Sequence, residues 1–174
     1  RLGLDNVEFL QADVTAWDPG SRRFDYIVLH GVYSWVPPHV REAILALCRA
    51  CLSPNGVAYI SYNALPGCHF RQYVWDLLRY HTRGIEDPHG KIAAARGIAQ
   101  EMMELLRDGD EYQKLLKTEF ELRLKVHESV LLHDDLVECN TPFHLSDFIR
   151  DAAGHGLQYV CDAEFTKDFT DDLE

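Results

Sequence analysis

The chain has 174 residues, of which 47% are apolar and 26% charged, and this composition excludes a disordered, collagen-like or disulfide-knot protein. The net charge of -11 opposes contact with the phosphate backbone of nucleic acids. The sequence contains no unbroken apolar run of the roughly 20 residues that a bilayer-spanning helix needs. We therefore expect neither a nucleic-acid partner nor a membrane partner.

The cysteines and histidines do not show metal-ligand spacing. Cys48 and Cys51 form a CxxC, but they fall on a helical pattern with no second CxxC and no His pair nearby. Buried helix cysteines are therefore favoured over a metal or redox site. The cysteine count of five is odd, and such usage in a chain of this length fits a reducing compartment. We predict a cytoplasmic protein without a metal.

The first third of the sequence alternates strand and helix signals. Val7 to Gln11 is a short β-rich run, and Phe24 to Leu29 is a continuous apolar run typical of a central parallel strand. Pro37-Pro38 suits a helix N-terminus. Ser53-Pro54-Asn55-Gly56 is expected to break that helix before a strand at Val57 to Tyr62. This order predicts a βαβ unit of an α/β protein.

The middle of the chain predicts helices only. Helical spacing of apolar residues runs from Phe70 to His81, from Ile92 to Leu106, and from about Glu111 to Leu136. These helices could form a lid over a substrate or an interface with another subunit or domain. The sequence leaves both readings open, and it leaves a homo-oligomer open as well.

The end of the chain returns to a mixed pattern. Ser146 is expected to cap a short helix that stops at Gly154 to Gly156. Leu157 to Phe165 alternates apolar and polar residues and predicts a strand. The acidic residues from Asp168 to Glu174 are expected to be mobile.

Several sequence strings carry a family resemblance. They are LQADV at 10–14, HGVYSWVP at 30–37, SYNALPG at 61–67 and FHLSDFIRDAAGHGLQYVCDAEF at 143–165. They resemble bacterial class I S-adenosylmethionine-dependent methyltransferases that carry a methyltransferase regulatory domain. Some members of that family are protein lysine methyltransferases. The resemblance implies S-adenosylmethionine as cofactor and a Rossmann-like α/β fold, here the C-terminal part of it, with an α-helical insertion or regulatory segment.

The resemblance also implies a division of the chain into three parts. Residues 1–67 correspond to the C-terminal part of the Rossmann-like methyltransferase domain, and residues 68–140 to the helical insertion or regulatory segment. Residues 141–174 correspond to a return helix and strand of the α/β domain.

The front half of the family fold has no counterpart in this sequence. The family holds the cofactor with a Gly-rich loop after the first strand and an acid after the second, and neither occurs here. The chain also begins with Arg1, so we expect a piece of a longer protein that is inactive by itself. In the family's strand order, two upstream strands separate Val7–Gln11 from Phe24–Leu29. We therefore predict that Phe24–Leu29 pairs in parallel with Val57–Tyr62, and that Val7–Gln11 is detached from both.

Four residues are predicted at the cofactor, two from the resemblance and two from their position after a strand. Asp13 matches the carboxylate that accepts from the adenine amine, with the Val14 N–H beside the ring; without the resemblance, Asp13 reads as a solvated turn residue. His30 and Gly31 follow the second predicted strand, where open α/β sheets bind ligands. His30 could touch the substrate or act as a base, and a structural histidine is as well supported. Gly31 would let the backbone pass close to a ligand.

The substrate pocket is predicted to contain Tyr33, Trp35, Tyr62 and Asn63. Tyr33 and Trp35 give an aromatic rim just after a strand, with Tyr33 a second catalytic candidate beside His30. Trp35 is equally compatible with a role in the core, and Asn63 with a plain turn residue.

The predicted activity is methyl transfer by in-line displacement to an unidentified acceptor, for which a protein side-chain amine is one possibility. The alternative is a non-catalytic regulatory or interaction module of a methyltransferase-like protein. An NAD-dependent oxidoreductase shares the fold class, but the sequence shows neither Tyr-x-x-x-Lys nor a dinucleotide fingerprint.

Overall fold

A pair of parallel strands and a set of helices make up the structure, a computed structural model that describes residues 3–107 and 109–164. The strands are β1 (Phe24–Leu29) and β2 (Leu52–Ile60). The α-helices are α1 (Pro38–Cys51), α2 (His69–Thr82), α3 (Pro88–Leu105), α4 (Glu111–Lys125), α5 (Glu128–Val130) and α6 (Leu145–Gly154). A 3-10 turn covers Tyr33–Trp35, and a π-helical turn covers Leu131–Asp135.

The described chain packs into two units. The sheet unit contains Pro37–Ile60 and the described parts of Arg1–His30 and Ile149–Glu174. The helical unit contains Gly31–Val36 and the described parts of Ser61–Phe148. The residues after His30 and those after β2 therefore belong to the helical unit.

The predicted strand pairing is confirmed. β1 and β2 are parallel neighbours, and Ile27 to Leu29 pair in register with Ala58 to Ile60. Among the described residues, no ladder partner lies beside 7–11, and Phe9 is 92% exposed. Helix α1 begins at the predicted Pro37-Pro38 and connects the strands, so the chain forms the expected βαβ unit.

The expected break at Ser53–Gly56 is wrong in one respect, because β2 already begins at Leu52. Phe24 pairs with Leu52 and Tyr26 with Val57, so the residues between Leu52 and Val57 form an irregularity within the ladder. The Ser53 hydroxyl donates to Asp25 Oδ1 at 2.5 Å and anchors this irregularity to β1. The turn-forming residues Ser53–Gly56 thus lie within β2 and do not separate it from α1.

Replacing Gly56 with alanine should destabilise the sheet unit. A Cβ at this position would lie 2.8 Å from the Phe24 carbonyl oxygen, which is a backbone atom that cannot move aside cheaply. We expect a loss of about 1–3 kcal/mol in the free energy of unfolding, measured by urea denaturation. Gly97→Ala is the matched control, since open space surrounds Gly97 within α3 and alanine favours a helix by about 0.5–1 kcal/mol. An unchanged unfolding midpoint for Gly56→Ala would contradict this interpretation of the ladder.

The helical unit has its own hydrophobic core. It is formed by α2, α3, α4 and the turns that follow them, and the first two helices cover the predicted stretches. The buried apolar side chains of this core are Val74, Leu78, Ile92, Ala95, Ala99, Leu116, Phe120, Leu131 and Leu136.

The third predicted helix, Glu111 to Leu136, is not continuous. Helix α4 ends at Lys125, and His127 then caps α5 by accepting a hydrogen bond from the Ser129 N–H on its Nδ1 at 3.2 Å. A side chain that satisfies the first N–H groups of a new helix starts that helix separately.

Two expectations for the C-terminal region are wrong. Ser146 does not cap α6, because the helix already begins at Leu145 and the His144 carbonyl accepts its first hydrogen bonds. Residues 157–164 form no strand, since a strand needs the backbone of a neighbour and the described chain provides none beside them. Phe165 and the tail from Asp168 to Glu174 lie outside the described residues.

Candidate functional site

Asp13 lies in the sheet unit at an exposed turn. Its Oδ1 accepts hydrogen bonds from the Thr15 N–H at 2.9 Å and the Thr15 hydroxyl at 2.8 Å. The backbone bond first, and then the hydroxyl bond, hold the pKa of Asp13 below its usual value. Oδ2 accepts no hydrogen bond from the described residues, so one oxygen of an ionised carboxylate remains available. The adenine role of Asp13 stays a prediction beside its role in the turn.

Val14 borders an apolar cavity of about 220 Å³ in the sheet unit. The lining residues are Val14, Trp17, Phe24, Tyr26, Ile27, Leu29, Ile44, Leu47, Cys48 and Cys51. The interpretation of Cys48 and Cys51 as buried helix residues is confirmed, as each is 1% exposed and free. Burial raises the pKa of the Cys48 thiol to about 11, which keeps it protonated and unreactive at neutral pH.

His30 directly follows β1 and is exposed. Its ring stacks on Tyr59 of β2 with centroids 6.1 Å apart and planes 17° apart. The Tyr59 hydroxyl lies 3.4 Å from His30 Nδ1, which is a long contact for a hydrogen bond. Tyr59 therefore orients the imidazole from a neighbouring strand, as either a structural or a catalytic histidine would require.

Gly31 begins the segment of the helical unit that follows β1. Its φ of +68° lies in the left-handed region that favours glycine. Its N–H donates to the Ser61 hydroxyl at 2.9 Å, which joins the segments after the two strands. Its chain neighbours apart, no atom of the described residues lies within 4 Å of where a Cβ would stand, so the backbone at Gly31 is open to approach. Its cofactor role stays a prediction.

The aromatic residues predicted for the substrate pocket form a packed cluster in the helical unit. Tyr33 is 1% exposed, and its ring centroid lies 6.4 Å from that of Tyr62. Phe143 and Phe148, which the sequence analysis did not identify, complete the cluster. Phe148 lies 4.7 Å from Tyr62 and 5.4 Å from Tyr33, and Phe143 lies 5.3 Å from Tyr33. The ring of Tyr33 is therefore packed within this cluster, and its catalytic and pocket roles stay predictions.

Trp35 and Asn63 lie in the same unit. Trp35 is half-buried, and its indole Nε1 is shielded from solvent without a hydrogen-bond partner among the described residues. Asn63 is held by Ser34, whose hydroxyl accepts from the Asn63 N–H at 2.8 Å. The structure thus brings Tyr33, Tyr62 and Asn63 together, and their pocket roles stay predictions.

A buried charge network lies in the helical unit and was missed by the sequence analysis. Asp135 Oδ1 accepts from Arg123 Nη1 at 3.2 Å and from Arg71 Nη2 at 3.4 Å. The Asp135 side chain is fully buried, and its Oδ2 has no partner among the described residues. Burial raises the pKa of Asp135, and the charges of Arg123 and then Arg71 oppose that rise. The sequence signal was weak, because Asp134-Asp135 reads as a solvated helix surface.

Two kinds of feature are absent from the described residues. They contain no group of three or more His, Cys, Asp or Glu side chains placed to hold a metal ion. In the same part of the chain, no helix has the length and apolarity needed to cross a membrane.

Family models match both ends of the chain. Residues 1–56 match the methyltransferase domain, and residues 127–173 match the predicted methyltransferase regulatory domain. The chain is also 39% identical over 170 residues to the uncharacterized protein RP789 of Rickettsia prowazekii, covering 95% of this chain and 30% of that protein. The uncharacterized protein RP028 of the same organism is 32% identical over 150 residues, covering 86% of this chain and 60% of that protein.

A solved structure with the same fold is PKMT2 from Rickettsia typhi in complex with AdoHcy. It superimposes with a TM-score of 0.81 at 32% identity and covers 98% of this chain and 33% of that chain. The chain therefore spans about a third of the length of PKMT2 and of RP789.

The parallel βαβ unit and these matches fit a Rossmann-like class I methyltransferase fold. The chain is similar to class I methyltransferases that carry a methyltransferase regulatory domain, since each domain model matches one part of it and PKMT2 shares its fold.

Proposed function

We propose that the full-length protein is an S-adenosylmethionine-dependent methyltransferase that acts on a protein side-chain amine. The observation that carries this proposal is the likeness to PKMT2 in complex with AdoHcy over 98% of the chain. AdoHcy is what remains of S-adenosylmethionine after its methyl group is lost. The amine acceptor rests on the family resemblance, since some relatives are protein lysine methyltransferases.

Features of the sheet unit and of the Gly31 segment fit such a cofactor. Asp13 keeps one carboxylate oxygen available to an exocyclic amine. The neighbouring Val14 borders an apolar cavity, and the backbone at Gly31 is open to approach. Each observation separately supports the cofactor role of its residue, Asp13, Val14 or Gly31, and His30 directly precedes Gly31 in the chain.

When bound, S-adenosylmethionine supplies an electrophilic methyl group. The protein must then orient the amine in line with that group and exclude water. An acceptor lysine must also lose a proton, and His30 is the exposed base that follows β1. In this proposal Tyr33 supports the aromatic cluster, while Tyr62 and Asn63 contact the acceptor.

Replacing Asp13 with alanine should weaken the binding of S-adenosylmethionine to the full-length protein by about tenfold or more. A hydrogen bond to a charged group contributes about 1.5–3 kcal/mol, and every 1.4 kcal/mol or so is a factor of about ten in the dissociation constant. Equilibrium dialysis with labelled S-adenosylmethionine measures this constant.

Asp18→Ala is the matched control. Asp18 also forms an exposed turn, with its Oδ1 accepting from the Gly20 N–H at 2.8 Å, so its loss removes the same charge and the same kind of hydrogen bond. We expect Asp18→Ala to bind like the wild type. An unchanged dissociation constant for Asp13→Ala would remove Asp13 from the cofactor site.

The acceptor class is tested with poly-L-lysine and methyl-labelled S-adenosylmethionine. After incubation with the full-length protein and acid hydrolysis, the label should be recovered in methylated lysine. Fully acetylated poly-L-lysine is the control, because its amines are blocked. Label in both polymers, or in neither, counts against an amine acceptor.

The alternative is a non-catalytic interaction module. The packing of Tyr33, one of the two catalytic candidates, in an aromatic cluster is compatible with it. A full-length protein that fails to bind S-adenosylmethionine would support this alternative.

A further inference from the structure

The segment from Thr141 to Phe143 is hydrogen-bonded to residues that follow β1 and β2. The Thr141 N–H donates to the Ser34 carbonyl at 2.8 Å, and the Phe143 N–H donates to the Asn63 carbonyl at 2.9 Å. The Leu65 N–H in turn donates to the Phe143 carbonyl at 2.8 Å. Together with the Ser34 hydroxyl, these bonds fix the backbone of Asn63 at both its N–H and its carbonyl.

The side chain of Asn63 is fixed by a second chain of hydrogen bonds. Asn63 Nδ2 donates to Asn140 Oδ1 at 2.9 Å, and Asn140 Nδ2 donates to the Asp134 carbonyl at 2.8 Å. Asn140 is only 7% exposed, so both of its bonds are made away from water.

The order of donors and acceptors in this series of hydrogen bonds determines how the Asn63 amide is oriented. The Asp134 carbonyl can only accept, so Asn140 must present its NH₂ group there and its oxygen to Asn63. Asn63 must then present its own NH₂ group to Asn140, and its Oδ1 faces away. This oxygen accepts no hydrogen bond from the described residues, and Asn63 is half-buried. An oriented acceptor atom thus remains on a residue that closely follows β2.

We propose that Asn140 is a positioning residue for methyl transfer, holding the Asn63 amide so that Oδ1 accepts a hydrogen bond from an N–H of the acceptor amine. This inference rests on the proposed function. Asp134 and Asn140 lie within the part of the chain that matches the regulatory domain, whereas Asn63 closely follows a strand of the methyltransferase fold. The part of the chain that matches the regulatory domain therefore sets the orientation of the Asn63 amide, which in this proposal contacts the substrate.

A double-mutant cycle tests the inference in the full-length protein, with poly-L-lysine as acceptor. Asn140→Leu removes both side-chain bonds and frees the Asn63 amide to rotate, so kcat/KM should fall by about threefold to tenfold, the value of one hydrogen bond. The dissociation constant of S-adenosylmethionine should not change. In the Asn63→Ala background, Asn140→Leu should cause no further loss of kcat/KM, because Asn140 acts only through Asn63.

Asn140→Asp is the conservative variant. Its carboxylate can still accept from Asn63 Nδ2 but cannot donate to the Asp134 carbonyl, so it should lower the melting temperature yet keep a kcat/KM above that of Asn140→Leu. If Asn140 only stabilised the fold, kcat/KM would fall in Asn140→Asp and Asn140→Leu in proportion to the fall in melting temperature.

The possible results separate the two proposals. Wild-type methyl transfer with additive losses in the cycle overturns the positioning role and leaves the proposed function standing. If Asn140→Leu and the wild type have equal kcat/KM, the positioning role is likewise overturned while the proposed function stands. Absence of methyl transfer by the wild type overturns the proposed function, and the positioning role with it.

Discussion

Replacing Asp135 with alanine will lower the free energy of unfolding by about 3–5 kcal/mol, the usual cost of removing one partner of a buried ion pair. The side chain of Arg123 is 9% exposed, and its Nη1 lies 3.2 Å from Asp135 Oδ1. Without Asp135, that charge would remain buried, and its remaining ion-pair partner among the described residues would be Glu119, at 3.8 Å. Urea denaturation followed by circular dichroism measures the loss.

Asp134→Ala is the matched control for this prediction. Asp134 is the preceding residue, but its side chain is 31% exposed and its ion pair with Arg71 is longer, at 3.6 Å. A partly exposed pair of this kind contributes about 0–1 kcal/mol. Equal losses for Asp134→Ala and Asp135→Ala would contradict the assignment of Asp135 as the buried centre of the network.

Asp135→Asn separates the effect of charge from that of shape. The amide fills the same space and keeps an oxygen for Arg123, so we expect a smaller loss than with alanine. Because burial raises the pKa of Asp135, the native state holds a proton more tightly than the unfolded state does. The stability that Asp135 contributes therefore increases as the pH falls through this raised pKa, and Asp135→Asn should abolish that increase.

Replacing His30 with alanine in the full-length protein will lower turnover by about 100-fold or more if His30 takes the proton of the acceptor amine, since general-base catalysis contributes about 10²–10⁴-fold. The affinity for S-adenosylmethionine should fall much less, because the proton leaves the acceptor rather than the cofactor. Single-turnover methyl transfer to poly-L-lysine and equilibrium dialysis measure the two quantities separately.

His89→Ala is the control for His30→Ala, since His89 is an exposed histidine in the first turn of α3 in the helical unit. Tyr59→Phe adds a second comparison, because it keeps the ring that stacks on His30 but removes the hydroxyl 3.4 Å from Nδ1. Normal turnover in His30→Ala would assign His30 a structural role.

The secondary structure was largely predictable from local patterns. A continuous apolar run predicted the strand at Phe24–Leu29, and apolar residues at helical spacing predicted the helices around Val74 and Ile92. In both cases the spacing of apolar residues follows the geometry of the element. The boundaries were less predictable. The start of β2 at Leu52 depends on an irregularity that Gly56 and the Ser53–Asp25 hydrogen bond make possible, and the alternation after Leu157 could not reveal whether a neighbouring strand exists.

The candidate site was predictable only where it follows the strands directly. His30, Gly31 and Asn63 could be proposed from their positions after apolar runs. Phe143 contacts Tyr33 from about 110 residues further along the chain, and Asn140 contacts Asn63 from about 80 residues further along. No local sequence period predicts such contacts. The buried state of Asp135 was hidden for the same reason, since its partners Arg71 and Arg123 lie on α2 and α4.

Calorimetric titration of S-adenosylmethionine into the full-length protein tests the central claim most directly. We expect saturable binding to a single site per chain in the micromolar range, which corresponds to about -8 kcal/mol, with AdoHcy competing for the same site. Absence of saturable heat at millimolar S-adenosylmethionine would contradict the claim that this chain is part of an S-adenosylmethionine-dependent methyltransferase.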